Sequence, residues 1–416
     1  MPVSPFFSTL PDRLRRTLSD PSFFFGLLFC VTVLTATIIP RSLSFLPSVC
    51  GVIGMLYLWR QTKKWISFDR KEVFFLGGMS ALAIVSSLWS LDPAFCFEKG
   101  LMIGLILMTG LLFLSCVRSI DFPQRLYLPV LLAMPLAIGG FLVAYEHING
   151  FPVLQWVTDR LPNDPWLTNR YNRTEVFFAV SFIPVLWLVL HSALHKKLKL
   201  TLALFLCAGV GCALWQANSQ SAQLCFLAGI LTYILWLPGK KILWAFCALL
   251  FSGLILLAPW LAIYAYQWVP DQLEHGTIFQ IASIPHRLVI WHFVATEALQ
   301  HPVIGNGLEA VRFLTSDEPM KFVNSTHVLH PHNSVLQIWV EFGALGAILL
   351  TGFTLMIWQK IGQVPHSYQK LLVSVFAGCC ALSLTGFGFW QSYQLGLFLY
   401  AASLCLLCLR ARSLTA

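Results

Sequence analysis

Charged residues are scarce in this sequence, which has 27 Lys and Arg and 18 Asp and Glu among 416 residues. Soluble domains carry a charge at about a quarter of their positions, whereas the share here is 11%. Hydrophobic residues make up 57% of the chain, and the mean hydropathy is +0.73. These values exclude a water-soluble fold. The sequence therefore predicts an all-α integral membrane protein.

Cysteine is almost missing from the segments between the apolar stretches. Eleven of the twelve cysteines lie within or at the end of an apolar stretch, and Cys96 is the exception. A disulfide framework in the connecting segments is therefore excluded. The close pairs Cys379–Cys380 and Cys405–Cys408 have no His, Asp or Lys in the same stretch. We expect them to act as small apolar residues.

The apolar stretches are about twenty residues long, the length that a helix needs to cross roughly 30 Å of hydrocarbon. We predict about twelve transmembrane helices, at residues 22–39, 44–59, 73–91, 100–117, 126–146, 174–194, 200–217, 221–238, 242–264, 333–358, 371–389 and 394–409. The first is expected to be retained, because no small-residue cleavage site follows it. Residues 1–264 then hold nine helices, residues 265–332 form a large loop, and residues 333–416 hold three helices.

Lysine and arginine are concentrated in every second connection. These connections hold 19 of the 27 Lys and Arg residues but only 5 of the 18 acidic residues. Because cytoplasmic loops are rich in Lys and Arg, both termini are predicted to be cytoplasmic. The basic balance then reflects topology and contact with anionic membrane lipid, and no nucleic acid partner is expected.

Two loops on the opposite, outward side are long, namely His147–Arg173 and Ala265–His332, while the others are short, such as PRS at 40–42. Long loops in a compact membrane protein usually carry function. Within the second, residues from about Pro285 to Gln300 are expected to form an amphipathic helix along the membrane surface or over a cavity. The sequence HPVIGNG predicts a turn at its end.

Several arginines lie on the outward side, against the positive-inside bias. Arg170 and Arg173 precede the sixth predicted helix, and Arg287 begins the amphipathic helix. A guanidinium group matches phosphate through paired hydrogen bonds in a planar fork. The three are therefore candidate phosphate ligands, with anchoring at the membrane interface as the alternative. Arg160 and Arg312 are further candidates on this side.

His330 and His332 end the long loop on the same side as these arginines. A neutral imidazole with a pKa near 6.5 can accept a proton from an attacking hydroxyl. Gln337 follows His332 at a helical spacing, so its acceptor-rich side chain could fix the tautomer of the imidazole. From spacing alone, His332 is either a general base or a residue of the membrane interface.

Four motifs follow one another along the chain: NSQSAQ at 218–223, RLVIW at 287–291, HPVIGNG at 301–307 and HNSVLQIWVEFGALG at 332–346. Weaker motifs are WSLDP at 89–93 and NRTEVFFAVSFIPVLW at 172–187. In order, spacing and sidedness the set resembles the O-antigen ligase and O-antigen polymerase superfamily of bacterial inner membranes. The sequence departs from many members at Gln220, where an arginine is common.

The resemblance implies a GT-C-like glycosyltransferase in the bacterial inner membrane, with its active site facing the periplasm. It assigns the general base to His332 and contacts with the donor diphosphate to Arg287 and to Arg173, or to the neighbouring Arg170. Asn333, Gln337 and Trp291 lie in the matching motifs and are predicted to be supporting residues. His330 is extra relative to the minimal motif and is predicted to be a further supporting residue, not a second base. The implied donor is an undecaprenyl-diphosphate-linked glycan, and the implied acceptor is the lipid A-core oligosaccharide.

No lysine motif for a nucleotide phosphate is present, and PRS lacks the acidic pair that metal-dependent membrane glycosyltransferases carry in their first outward loop. A diphosphate is already a good leaving group once its charge is balanced. We therefore expect no cofactor and no metal, and a single displacement that inverts the anomeric carbon.

Other functions remain open from the sequence. A polymerase would pass the glycan to another lipid-linked repeat unit, but a single dominant loop favours the ligase. A protein O-oligosaccharyltransferase is disfavoured by the short carboxy-terminal tail. A polysaccharide-lipid transporter is the alternative that is not an enzyme. Against it, no internal repeat is found, and ionisable residues within the predicted helices are almost confined to Glu341 and His191.

Overall fold

The structure is a computed structural model that describes residues 20–123, 127–159, 161, 164, 167, 170–267, 284–320 and 323–412. Its α-helices are α1 (Pro21–Ile38), α2 (Leu46–Thr62), α3 (Arg70–Val85), α4 (Pro93–Arg118), α5 (Tyr127–Ile148), α6 (Pro152–Thr158), α7 (Asn172–Leu190), α8 (Lys196–Gln216), α9 (Gln220–Leu235), α10 (Lys241–Leu256), α11 (Ala258–Gln267), α12 (Ile284–Gln300), α13 (Ser334–Gly362), α14 (His366–Thr385) and α15 (Ser392–Arg410). Short 3-10 turns cover Pro40–Ser44, Ser86–Leu88 and Ala310–Arg312. Strands β1 (Phe122–Pro123) and β2 (Ala411–Arg412) form one parallel pair, with Phe122 opposite Ala411.

Nine helices of the described residues are long and apolar enough to cross a membrane: α1, α3 with its 3-10 extension, α4, α5, α7, α8, α13, α14 and α15. Helices α10 and α11 together pass the same test but meet at a bend of 76°, so the number rises to ten if they count as one span. The chain is therefore a multi-pass membrane protein, and the prediction of an all-α membrane fold is confirmed.

Eleven of the twelve predicted segments coincide with one helix each, and the twelfth coincides with a pair of helices, but two of the helices are short for a span. Helix α2 has 17 residues and α9 has 16, which is short for roughly 30 Å of hydrocarbon at about 1.5 Å per residue. The segment predicted at 242–264 is the bent pair. Twelve spans and a GT-C-like architecture stay predictions.

The chain divides into two compact units. The first comprises Met1–Ser67, Leu112–Gln223 and Leu399–Ala416. Within it, α5 packs against α1, α7 and α8. The contact between α5 and α8 is close, because a Cβ atom on Gly140 would lie 2.4 Å from the carbonyl oxygen of Gly209. Glycines at such a crossing let two helix backbones approach each other, a common device in membrane bundles.

The second unit comprises Phe68–Leu111 and Leu224–Phe398. Helix α13 is central to it and packs against α3, α10, α12 and α14. The buried apolar residues between these helices include Val294 and Ala298 of α12, and Leu336 and Val340 of α13. Helix α12 was expected at about Pro285–Gln300, and the structure confirms it.

Helix α13 is broken at Gly343, where φ is +57° and ψ is −150°. In an unbroken helix Ala344 N–H would donate to the carbonyl of Val340 and Leu345 N–H to that of Glu341. Here the two N–H groups donate instead to the carbonyls of Pro302 and Val303, at 2.8 and 3.1 Å.

The two carbonyls released by the break are also satisfied. Asn306 N–H donates to Val340 O at 2.9 Å, and Gly307 N–H donates to Glu341 O at 2.8 Å. The HPVIGNG turn is thus inserted into α13 by an exchange of backbone hydrogen bonds. The exchange thus pairs all four of these backbone groups, which matters because an unpaired backbone group inside a membrane protein is costly.

Glycines make the close approach of the two backbones possible. A Cβ atom on Gly305 would lie 2.4 Å from the carbonyl carbon of Glu341, and one on Gly343 would lie 2.5 Å from that of Val303. Any larger residue at either position would separate the turn from the helix. Gly305 of HPVIGNG and Gly343 of VEFGALG therefore serve one contact.

The WSLDP motif packs against the same turn. Trp89 Nε1 donates to the carbonyl of Ile304 at 3.1 Å. A Cβ atom on Gly307 would lie 2.7 Å from Ser90 Cα. Three separate motifs of the sequence therefore meet at the break in α13.

Replacement of Gly343 tests this insertion. Gly343→Ala places a methyl group against the backbone of Val303 and forces alanine into a conformation that costs roughly 1–3 kcal/mol by itself. We expect the apparent Tm of the purified protein in detergent to fall by about 2 °C or more, as measured by fluorescence-detected size-exclusion chromatography after heating.

Gly253→Ala in α10 is the matched control, because nothing lies within 4 Å of a Cβ atom there. Its Tm should equal that of the wild type or rise slightly, since alanine favours a helix over glycine. If both variants melt like the wild type, the exchange at Gly343 does not stabilise the fold.

Candidate active site

His332 lies directly before α13, in a turn that its neighbour Asn333 closes. The side-chain Oδ1 of Asn333 accepts hydrogen bonds from the N–H groups of Val335 and Leu336, at 3.0 and 3.2 Å, and so caps the helix. His332 itself has a φ of +53°, which is uncommon for a residue other than glycine. The strained backbone and the cap together fix the direction in which the imidazole leaves the chain.

The ring of His332 is oriented by a backbone carbonyl. Its Nδ1 lies 2.8 Å from the carbonyl oxygen of Gly386. Because a carbonyl can only accept, Nδ1 carries the proton in the neutral ring, and Nε2 is left as the proton acceptor. Gln337 was expected to fix the tautomer directly, but its side chain bonds to Glu341 and to Phe389 N–H and not to the His332 ring.

Arg287, near the start of α12, is held by the residue next to Gly386. Its Nη1 donates to the carbonyl oxygen of Thr385 at 2.8 Å. Two consecutive carbonyls thus hold the candidate base and a candidate phosphate ligand. A guanidinium has further N–H donors in the same plane, and these suit a phosphate group.

Trp291 secures the segment that carries the histidines. Its Nε1 donates to the carbonyl of Pro331 at 2.9 Å. Since Arg287 and Trp291 are four residues apart on α12, they lie on the same side of that helix. The RLVIW motif therefore contacts both the end of α14 and the turn before α13.

Electrostatics keep the imidazoles neutral. Burial lowers the pKa of His332, and the neighbouring Arg287 and His286 lower it further, whereas the bond to Gly386 raises it. The net direction is down, so His332 is a neutral base at neutral pH. Burial also lowers the pKa of Arg287, but a guanidinium remains charged at any working pH.

His330 packs against His332, with ring centroids 4.2 Å apart and planes at 66°. Burial, followed by the neighbouring His332 and Arg312, lowers the pKa of His330 to about 3. The ring also borders Gly388, where an added Cβ atom would lie 3.1 Å from His330 Cβ. His330 is therefore a neutral side chain that fills the space behind His332.

Neither Thr385 nor Gly386 is predicted from the sequence as a site residue, because each contributes a backbone carbonyl that any residue type could supply. The available signal is the run GFGFW at 386–390, in which small and aromatic residues alternate between two membrane helices. Such a run is unusual in a connection that otherwise looks short.

Arg170 and Arg173 belong to the first unit. Arg173 lies in the first turn of α7. Burial lowers the pKa of Arg170, and the positive charge of Arg41 lowers it further. Arg41, which lies in the PRS segment and was not a candidate, is therefore a cationic neighbour of Arg170.

Glu175 ties two motifs of the first unit together. Its fully buried carboxylate lies 2.7 Å from His147 Nε2 and accepts the N–H of Ser219 at 3.2 Å. The NRTE and NSQS segments are therefore joined at this side chain. Of the two further arginines, Arg312 pairs with Glu309 at 2.5 Å, and Arg160 lies outside the described residues.

Among the residues that the structure describes, no three His, Cys, Asp or Glu side chains are grouped so that they could hold a metal ion. The expectation of a reaction without a metal stays a prediction.

Comparison with known proteins matches the same part of the chain. Residues 200–351 match the family model described as O-antigen ligase. The resemblance to the O-antigen ligase superfamily is confirmed. The matched segment contains α12, the inserted HPVIGNG turn and the first part of α13, with Arg287, Trp291, His330, His332 and Gln337.

Curated relatives agree with this match. Proteins of Rickettsia conorii and Rickettsia typhi, whose curated names contain the words polysaccharide ligase, are 28% identical over 184 residues and 29% identical over 183 residues. The alignments cover 42% of this chain and 43% or 44% of the relative. A Rickettsia prowazekii protein with the same description is 27% identical over 183 residues. The chain thus matches less than half the length of these relatives.

His330 gives rise to a prediction about stability and pH. Because its pKa is about 3 in the folded protein and near 6.5 in the unfolded chain, only the unfolded chain takes up a proton between these values. The contribution of His330 to the free energy of unfolding is therefore complete above pH 6.5. Below that pH it decreases by up to about 1.4 kcal/mol for each pH unit. His330→Phe keeps an aromatic ring and removes this term, so its apparent Tm should fall less steeply between pH 7.5 and 5.

The control for this experiment is His327→Asn, which removes an exposed histidine from the same segment. It should follow the wild-type curve. Parallel curves for the wild type and His330→Phe would show that His330 is not held neutral by the fold.

Proposed function

We propose that this protein is an O-antigen ligase, which transfers a glycan from undecaprenyl diphosphate to the lipid A-core oligosaccharide on the periplasmic face of the bacterial inner membrane. The observation that carries the proposal is the pair of carbonyls at Thr385 and Gly386. They hold Arg287 and the Nδ1–H side of His332 side by side. A phosphate ligand and a proton acceptor are thus fixed to one short segment.

The chemistry follows from these two groups. A hydroxyl oxygen of the acceptor sugar attacks the anomeric carbon of the donor, and its proton passes to Nε2 of His332. The bond from that carbon to the diphosphate oxygen breaks, and undecaprenyl diphosphate leaves with the electron pair. Arg287 stabilises the charge that builds on the departing phosphate. One displacement inverts the anomeric carbon.

The remaining assignments follow from the sequence. Arg173, or its neighbour Arg170, is proposed to bind the donor diphosphate as well, and the guanidinium of each is suited to that ligand. The reaction is proposed to need no metal and no cofactor, because the diphosphate is already an activated leaving group. A GT-C-like fold, cytoplasmic termini and a periplasmic site complete the proposal. The match to the O-antigen ligase family over residues 200–351 supports it.

Replacement of His332 tests the proposed base. In a strain that lacks the gene, lipopolysaccharide should show the core alone, and the wild-type gene should restore the full ladder. His332→Gln should restore little or nothing, because a general base contributes about 10²–10⁴-fold to a rate. Silver-stained gels of the lipopolysaccharide, with matched membrane levels of each variant, provide the measurement.

The exposed His327, replaced by Asn, is the control and should restore the ladder. Core with a single repeat unit in the deletion strain would identify a polymerase. A full ladder with His332→Gln at normal rate would exclude the base role, and loss of ligation by purified protein in EDTA would contradict the metal-free reaction.

Arg287→Lys tests the phosphate contact. Lysine keeps the charge but cannot form the planar paired hydrogen bonds. Loss of one charge-assisted bond costs about 1.5–3 kcal/mol, so ligation by membranes from the variant should fall by about tenfold or more.

Arg312→Lys is the comparison for Arg287→Lys, since Arg312 lies on the same loop and pairs with Glu309. Its rate should stay near that of the wild type. Equal rates for Arg287→Lys and the wild type would remove Arg287 from the phosphate site.

A further inference from the structure

The connection between α14 and α15 has contacts on two sides. At its beginning, the carbonyls of Thr385 and Gly386 hold Arg287 and His332. Three or four residues later, Phe389 N–H donates to the side-chain Oε1 of Gln337 at 2.8 Å. The indole Nε1 of Trp390 donates to Oε2 of Glu341. The segment is therefore fastened at one end to α13 and presents its other end to the site.

The fastening point on α13 is a buried polar network. Gln337 Nε2 donates to Oε1 of Glu341 at 2.9 Å. The side chains of Gln337, Glu341 and Trp390 are all at most 2% exposed. Buried polar groups in a membrane helix are costly unless each is hydrogen-bonded, and those that persist usually serve a function.

The network also reaches the inserted turn. The carbonyl of Glu341 accepts the N–H of Gly307, so the backbone of this residue holds the turn while its side chain holds Trp390. The Trp390 ring packs on Phe342, with centroids 5.7 Å apart, and on Phe389, with centroids 4.6 Å apart. Packing thus fixes the position of the Trp390 ring, and the bond to Glu341 fixes the position of its one polar atom.

We propose that Trp390, Glu341 and Gln337 are positioning residues, which hold the Thr385–Gly386 carbonyls so that His332 keeps its Nδ1–H tautomer and Arg287 keeps its orientation. The catalytic consequence rests on the proposed function. The tautomer of His332 does not, because it is a property of the protein in the absence of any substrate.

The loss of this support has a defined effect on His332. Without the Gly386 carbonyl, part of the population carries the proton on Nε2 and cannot act as the base, so kcat falls. The same carbonyl raises the pKa of His332, so its loss moves the acidic limb of the pH–rate profile to lower pH. In the described part of the chain, the titratable or charged groups that face this ring are His330, His286 and Arg287. The substitutions below leave them in place.

Trp390→Phe is the test, because phenylalanine keeps the aromatic packing and loses only the N–H donor. We expect kcat for ligation by the purified protein to fall by about tenfold, the KM for the donor to change less, and the acidic limb to move to lower pH. We also expect the 15N shifts of the His332 ring, assigned with a His332→Gln sample, to change from an Nδ1–H tautomer to a mixture.

Glu341→Gln is the second variant. The new glutamine can still accept a hydrogen bond from Trp390, but it places an amide NH₂ group against that of Gln337. The ligation rate of this variant and the tautomer mixture of its His332 should therefore lie between those of the wild type and Trp390→Phe. Trp358→Phe is the matched control. Trp358 Nε1 donates to the carbonyl of Trp244 at 3.0 Å, so this substitution removes an indole hydrogen bond of the same kind elsewhere on α13. It should keep the wild-type profile and the Nδ1–H tautomer.

A Trp390→Phe protein with the wild-type pH profile and tautomer would overturn the proposal. So would an equal loss in Trp390→Phe and Trp358→Phe without a shift of the acidic limb, because that pattern indicates lower stability alone. If the wild-type protein shows no ligation, the proposed function fails, and the 15N shifts still decide whether Trp390 and Glu341 hold His332.

Discussion

The insertion of the HPVIGNG turn into α13 at Gly343 is the contact on which the rest of the second unit depends. It ties the end of α12 to the middle of α13 through four backbone hydrogen bonds. Because α12 and α13 also pack along their lengths, their first turns are held in register. Arg287 and His332, which lie at those first turns, then reach the same two carbonyls. A break in a membrane helix is tolerated only where its backbone groups find new partners, and here they find them in the turn.

This arrangement gives each of the short sequence motifs a structural role. HPVIGNG supplies the partners for the broken helix, VEFGALG supplies the break, and WSLDP covers the outside of the turn through Trp89. RLVIW provides Arg287 and Trp291 on one side of α12. Each motif therefore serves the placement of two side chains, the proposed base His332 and the proposed phosphate ligand Arg287, on a rigid support. Preorganisation of this kind is what stabilises developing charge without a rearrangement during the reaction.

The sequence predicts the position of the helices, because the pattern of apolar residues decides where they form. The stretch from Pro285 to Gln300 has the composition of an amphipathic helix, and α12 occupies it. The partner of His332 could not be predicted in this way, because Gly386 contributes a backbone carbonyl, which every residue type has. Gln337 was expected beside His332 on spacing alone. Instead, the GFGFW connection brings Phe389 N–H to it, and Glu341 lies one helical turn further along α13. The number of spans also depends on bends, such as the 76° angle between α10 and α11, which hydropathy does not reveal.

A structure of the protein with undecaprenyl diphosphate, the product of the proposed reaction, tests the proposed site most directly. We expect one phosphate group within hydrogen-bond distance of the Arg287 guanidinium, while Nη1 keeps its bond to Thr385. Nε2 of His332 should face the side from which the acceptor hydroxyl attacks, with Nδ1 still bound to Gly386. A diphosphate bound away from Arg287, or a His332 ring that has turned from the Gly386 carbonyl, would contradict the account.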